Sequence, residues 1–243
     1  MADRNVIEKI VVMAIAICAT PIHELGHFMM SFNGGGGNIL NNKIETLINN
    51  LKLRNIDAYY FEDIQQVSKE LLEVIPQDCT IGIGNSQTLI NMNISRMLAD
   101  KGNIVYDKTL ANTEAEITDL KKKSLLADWY LTGTNAISLE GHLVNIDHSG
   151  NRVAAMIYGP ENVVVVIGTN KIVDTLEDAI NRARNIAAPA NAKRAGLNPP
   201  CRAAGKCMDC RSTERACNNL VVIEGQNNKD RMRVFIINDC LGY

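Results

Sequence analysis

Aromatic side chains are scarce in this chain, at 5% of 243 residues, which removes the stacking platforms that single-stranded nucleic acid requires. An excess of one charge is also missing. Lys and Arg number 25 against 27 Asp and Glu, a net charge of −2, so no basic face for nucleic acid or acidic lipid is implied. No apolar run reaches the roughly 20 residues that a membrane-spanning helix takes. The run at residues 10–22 (IVVMAIAICATPI) has 13, and Asp3, Arg4, Glu8 and Lys9 leave its flank neutral where a secretory leader is basic. Repeats and low-complexity tracts are absent apart from the four glycines at 34–37, which read as a flexible joint. What is present is an ordinary globular balance, 46% hydrophobic and 21% charged.

Cysteine is the residue in unusual supply. Seven occur, an odd number, and four of them fall within seventeen residues. A secreted disulfide framework spreads an even set through a short chain, so the clustering points to a reducing, cytoplasmic compartment where thiolates meet metals. Cys201, Cys207, Cys210 and Cys217 have the spacing C-x5-C-x2-C-x6-C inside segment 199–217. The CxxC pair bites one metal, and two further thiolates complete a tetrahedral site for zinc; the same four suit an iron–sulfur cluster. Arg202, Lys206, Arg211 and Arg215 offset the thiolate charge. A redox disulfide and plain structural thiols are the alternatives. Cys18, Cys79 and Cys240 stand alone and read as buried apolar residues.

His23-Glu24-Leu25-Gly26-His27 matches HExxH. On a helix, His23 and His27 share a face and ligate zinc while Glu24 polarises a water. With its apolar lead-in the segment resembles the first catalytic helix of site-2-type membrane metalloproteases, a family whose third ligand, an Asp, lies in a later membrane helix. This chain offers no such later helix. We therefore read residues 1–37 as an extension outside the core domain, and 38–243 as one α/β domain that includes the cysteine segment.

Within 38–243 the hydrophobic period alternates. Helical spacing at Ile44, Leu47, Ile48 and Leu51 precedes a strand at 56–61, and Ile64, Val67, Leu71 and Val74 give a helix stopped by Pro76. A strand at 80–83, a helix at 86–101, a strand at 104–106 and a helix at 113–126 follow. Residues 136–139 and 142–146 flank Glu140-Gly141 as a hairpin. Strands are expected at 152–158 and 163–167, a helix from Asp174 to about residue 187 ended by Pro189, and closing strands at 220–223 and 234–237. This alternation predicts a mainly parallel, Rossmann-like sheet flanked by helices, with a cysteine-rich knuckle near the C-terminus.

Ligands of open α/β sheets gather at strand ends. The first such loop carries Gly82, Gly84, Asn85, Ser86 and Thr88; it has neither the GxGxxG spacing nor the Lys of a P-loop. Gly133 and Asn135 follow the next strand, and Asp147, Asn151 and Arg152 a third. Arg152 either grips a carboxylate or phosphate as a fork or pairs with Asp147. Lys171 is a further candidate anion contact, with a solvated lysine as the alternative. No general base or nucleophile stands out; His142, His148 and Asp147 are the nearest candidates.

Residues 130–173 (YLTGTNAISLEGHLVNIDHSGNRVAAMIYGPENVVVVIGTNKIV) resemble the central block of the LUD (lactate-utilization) family, and GIGNSQTL at 82–89 resembles its glycine–serine–threonine–leucine loop. The ending DCLGY and the cysteine segment are similar to those of short members. Asn85 stands where the family loop commonly has a second Gly, and His148 where Gly is usual. The resemblance, over about 41–243, implies a fold akin to ribose-5-phosphate isomerases and CoA-transferases. It also implies a bacterial role in lactate or organic-acid oxidation beside iron–sulfur oxidoreductase partners, with a small anionic ligand. A non-catalytic electron-transfer or assembly subunit is the second reading, and a zinc peptidase through HELGH the third.

Overall fold

Continuous apolar runs such as VVVV at 163–166 can be buried on both faces only in the middle of a sheet, and that is where the computed structural model, which describes residues 38–243, puts them. The main sheet uses β1 (Asp57–Phe61), β2 (Thr80–Ile83), β3 (Ile104–Asp107), β4 (Trp129–Thr132), β7 (Asn162–Gly168) and β10 (Met232–Ile237). Their order is β1-β10-β7-β4-β2-β3, and every pairing is parallel. A second sheet joins β8 (Ile172–Val173), β5 (Ala136–Ser138), β6 (Leu143–Asp147) and β9 (Asn219–Ile223) in that order, with β6 antiparallel to both neighbours.

Alternation along β7 sorts the core into two layers. Val164 and Val166 face Phe235, Ile237 and the helices α2 (Ile64–Val74) and α4 (Ile94–Lys101), through Val67, Leu71, Ile94 and Leu98. Val163, Val165 and Ile167 face Ile44, Leu47 and Leu51 of α1 (Asn38–Leu53), and Ile137, Leu143 and Ile223 of the second sheet. Beyond that sheet, Val144 and Ile146 pack on Ala179, Ala183 and Ala188.

Several sequence expectations shift in detail. The helix expected over 86–101 is two, α3 (Gln87–Asn91) and α4, because Asn93 takes a left-handed φ of 52°. α5 (Glu114–Ser124) begins at a Thr113–Glu116 capping box. The strand expected over 152–158 is instead a helix, α6 (Asn151–Ile157). Its buried residues Val153, Ala155 and Met156 include an i, i+3 pair, and Gly150 at φ 84° turns the chain into it. The helix after Asp174 starts one residue later at the cap Thr175. It also does not stop at Pro189: α7 (Leu176–Arg182) runs through a π segment (Ala183–Ala187) into α8 (Ala188–Arg194). Pro189 sits in the first turn of α8, where the wider turn before it absorbs the missing N–H. The short α9 (Pro200–Ala204) opens the cysteine segment.

No helix among the described residues is long and apolar enough to cross a membrane. The HELGH segment, with His23, Glu24 and His27, lies outside the described residues.

Candidate functional site

Because the main sheet is parallel, all its C-terminal ends open on one side. The chain leaves β2 toward the β3 edge but leaves β4 toward β7, so two adjacent strands send their loops in opposite directions. A cavity of about 320 Å³ lies there. It is lined by Asn85 and Ser86 after β2, by Gly133 and Asn135 after β4, and by Asp147, Asn151 and Arg152 around the end of β6. Lys171 lines it from the turn after β7, and Arg194 from α8.

Eight of the eleven residues singled out from sequence thus line one cavity, and Gly82, Gly84 and Thr88 do not. The two glycines serve packing. A Cβ on Gly82 would stand 2.8 Å from both Ser124 Cβ and Tyr130 Cδ2, and one on Gly84 would stand 2.9 Å from Thr132 Cβ. Gly133 lets its loop approach the first one, since a Cβ there would lie 2.9 Å from Ser86 Oγ. Ser86 occupies the N-cap of α3, yet its side chain makes no capping bond. Thr88 is fully buried, and its Oγ1 has no hydrogen-bond partner.

Arg152 resolves in favour of the pairing with Asp147. Its Nε donates to Asp147 Oδ2 at 3.1 Å. Nη1 donates to Gly133 O at 2.9 Å and to Asn145 Oδ1 at 2.5 Å. Nη2 donates to Asn135 Oδ1 at 3.2 Å and to Ile146 O at 2.9 Å. All five N–H groups of the guanidinium are therefore engaged by protein acceptors, and the fork is not available to a ligand. Arg152 instead ties the loop after β4 to the end of β6.

The cations left to face the cavity are Lys108, Lys121, Lys171 and Arg194, and among the described residues none of them forms a salt bridge. Burial lowers the Lys108 pKa, and the neighbouring Lys121 and Arg194 charges lower it further, against a partial opposing pull from Asp147 and Asp107. Lys171 is 6% exposed, and its Nζ donates to Thr134 O at 3.1 Å. Burial, helped by Arg182 and Arg152, pulls its pKa down to about 7. Lys108, Lys121 and Arg194 escaped the sequence reading because they come from three distant elements, and each alone resembles a solvated surface charge. His148 also lines the cavity, whereas His142 pairs with Ser138 on the second sheet.

A smaller space of about 20 Å³ is lined by Cys201, Cys207, Cys210 and Cys217 together with Arg184, Arg215 and Ile146. None of the four is in a disulfide. Pro200 starts the helical turn that buries Cys201, and Asp209 at φ 44° reverses the chain inside the CxxC pair. Arg215 donates to the carbonyls of Cys210 at 3.2 Å and Cys217 at 2.9 Å, and Cys207 N donates to Asn185 Oδ1 at 3.1 Å. Burial raises the Cys201 pKa, and the other three thiols add to the rise. The four side chains share one pocket, although no group of three or more His, Cys, Asp or Glu among the described residues stands close enough to ligate a metal.

Comparison with solved structures returns a DUF162 family protein from Deinococcus radiodurans, 14% identical over 81% of this chain and 97% of that one, with a TM-score of 0.44. It also returns ribose 5 phosphate isomerase A from Neisseria gonorrhoeae, 17% identical over 46% and 54% of the two chains, with a TM-score of 0.31. No curated protein matches the chain. The LUD domain model matches residues 44–237, from the first buried residue of α1 to the end of β10. The chain belongs to the LUD domain family.

Proposed function

We propose that this LUD-domain protein binds a small organic anion in the strand-end cavity, in the oxidation of lactate or a related organic acid, and holds a metal centre among its four clustered cysteines. The observation that carries the first part is the convergence of Lys108, Lys121, Lys171 and Arg194 on one cavity, with no salt bridge to any of them among the described residues. Like charges held together destabilise one another, and an anion relieves them. Asp147, the carboxylate among the residues named as lining the cavity, is committed to Arg152. The ligand then supplies the missing negative charge. At about 320 Å³ the cavity suits a small metabolite.

Thermal-shift screening with lactate, sugar phosphates and acyl-CoAs tests this. Stabilisation that grows with ligand concentration is expected. No shift with any anion, or an equal shift in a Lys108→Gln/Arg194→Gln variant, counts against it.

For the metal centre, the support is a soft donor set of four thiols around one small space, with Arg184 and Arg215 beside it. Zinc and an iron–sulfur cluster are the two candidates. Bound there, it would serve structure or electron transfer, since four thiolates leave no open coordination position. Anaerobic purification with metal analysis and visible absorbance separates the two, and a colourless, metal-free protein with four titratable thiols sinks both.

The second reading, an electron-transfer or assembly subunit working with iron–sulfur oxidoreductase partners, draws on the partial exposure of Cys207 and Cys210 and the 51% exposure of Met208 between them. It predicts that removing the metal abolishes partner activity while the domain stays folded.

A further inference from the structure

Among the described residues Lys171 forms no salt bridge. It sits in the 3-10 turn Thr169–Lys171 directly after β7, buried at the wall of the cavity, and its Nζ donates to a neutral carbonyl, Thr134 O. The charged groups that act on it are Arg182 from α7 and Arg152 from α6, both cations. Both guanidiniums are themselves held by protein acceptors. Arg152 is bonded as described above, and Arg182 donates to Asn170 O at 3.1 Å, to Tyr243 O at 3.1 Å and to Asn135 O. A buried amine among cations loses its proton readily, and a neutral amine with one N–H on a carbonyl keeps its lone pair free.

Its immediate surroundings are closely packed. Gly242, at φ +64°, covers the amine: a Cβ there would lie 3.3 Å from Lys171 Nζ and 3.3 Å from Thr88 Oγ1. That threonine hydroxyl is the fully buried one without a hydrogen-bond partner. The Lys171 amine and the unpartnered Thr88 hydroxyl therefore both lie beside Gly242, but of the two only Lys171 lines the cavity, where Lys108, Lys121 and Arg194 supply further positive charge.

Resting on the reading of this cavity as an anion site, we infer that Lys171 is a nucleophile that condenses with the carbonyl of a small anionic oxo acid to form an imine. The Nζ lone pair adds to the carbonyl carbon and the C=O π pair moves to oxygen. The carbinolamine then loses that oxygen, together with the two amine hydrogens, as water, and a C=N bond replaces C=O. The acid group stays with the outer cations. The imine withdraws electrons from the carbon beside it, which is the chemistry such a lysine supplies.

The test uses the full chain with pyruvate or glyoxylate and cyanoborohydride at pH 7, which delivers hydride to the C=N bond and fixes the adduct as a secondary amine. Peptide mapping by mass spectrometry is expected to place the adduct at Lys171. The rate there should exceed that of exposed lysines by on the order of a thousandfold, the advantage in neutral fraction of a half-neutral amine over ordinary ones at pH 7. Lactate, which has no carbonyl to condense, should slow it by competition. No adduct at Lys171, or a rate there no faster than at Lys52, overturns the inference, and neither outcome needs a variant that folds. If lactate still raises the melting temperature while Lys171 stays unmodified, the anion site stands and the imine falls; if both fail, the cavity reading falls too.

Discussion

Arg194 on α8 donates through Nη1 to the side-chain oxygen of Asn85 at 3.0 Å, closing a bridge across the cavity between residues 109 apart in sequence. Its other terminal nitrogen is held by Asn191 at 2.7 Å. A guanidinium anchored on two amides, and facing a cavity with other cations, is pre-positioned for an anion at little entropic cost.

Replacing Arg194 by Gln is therefore expected to weaken binding of lactate or a sugar phosphate. One charge-assisted hydrogen bond contributes about 1.5–3 kcal/mol, so the dissociation constant should rise roughly tenfold or more. Its dependence on salt should flatten as well. Titration calorimetry at two ionic strengths measures both effects.

Removal of Arg152 should damage the fold more than the binding chemistry. The Arg152 and Asp147 side chains are 12% and 11% exposed, and truncation to Ala leaves a part-buried carboxylate without its cation and removes the donor from four other acceptors. A loss of about 3–5 kcal/mol is expected in urea denaturation. Arg152→Lys should recover only a fraction, because an ammonium cannot span the five acceptors of a planar fork. Full recovery by Lys would mean that charge alone matters at this position.

Gly82→Ala separates a packing glycine from a ligand glycine. The new methyl meets Ser124 Cβ, Ser124 O and Tyr130 Cδ2 inside 3 Å, so overpacking should cost about 1–3 kcal/mol of stability. Anion affinity of the folded fraction should not change. A selective loss of affinity at undiminished melting temperature would return Gly82 to the binding loop.

The pH dependence of stability provides a separate check on Lys171. Its folded pKa of about 7 lies below the ordinary 10.5. Between those values the unfolded chain holds a proton that the native chain lacks, so this group's contribution to stability rises with pH across that window. Below pH 7 both states are protonated and the penalty is at its full size. Lys171→Met should therefore stabilise the protein most below pH 7, and the gain should fade toward pH 10. Denaturation curves of the two proteins over pH 6–10 test the sign; a constant difference would mean that the lysine is charged throughout.

The parallel sheet was legible because its central strand is continuously apolar from Val163 to Ile167 and neighbouring segments keep helical spacing. What escaped were places where tertiary contacts overrule local pattern. Residues 152–158 are rich in strand-compatible side chains, yet the five bonds of Arg152 fix the first turn of α6 and the chain continues as a helix. Pro189 ordinarily ends a helix, but the π turn ahead of it removes the obligation. At the site, turn residues were visible as small and amide side chains at strand ends. The three outer cations were not, since nothing in the local sequence around Lys108, Lys121 or Arg194 tells which of many surface charges will point at one another.

One side chain links the two chambers. Ile146 lines the strand-end cavity and also lines the cysteine pocket. The chambers therefore cannot be resized independently by evolution or by an engineer. A bulkier residue at 146 shrinks both and a smaller one enlarges both, so variation that tunes the fit of an anion is filtered by what the cysteines tolerate. Substitutions accepted at this position should travel together with compensating changes in segment 199–217.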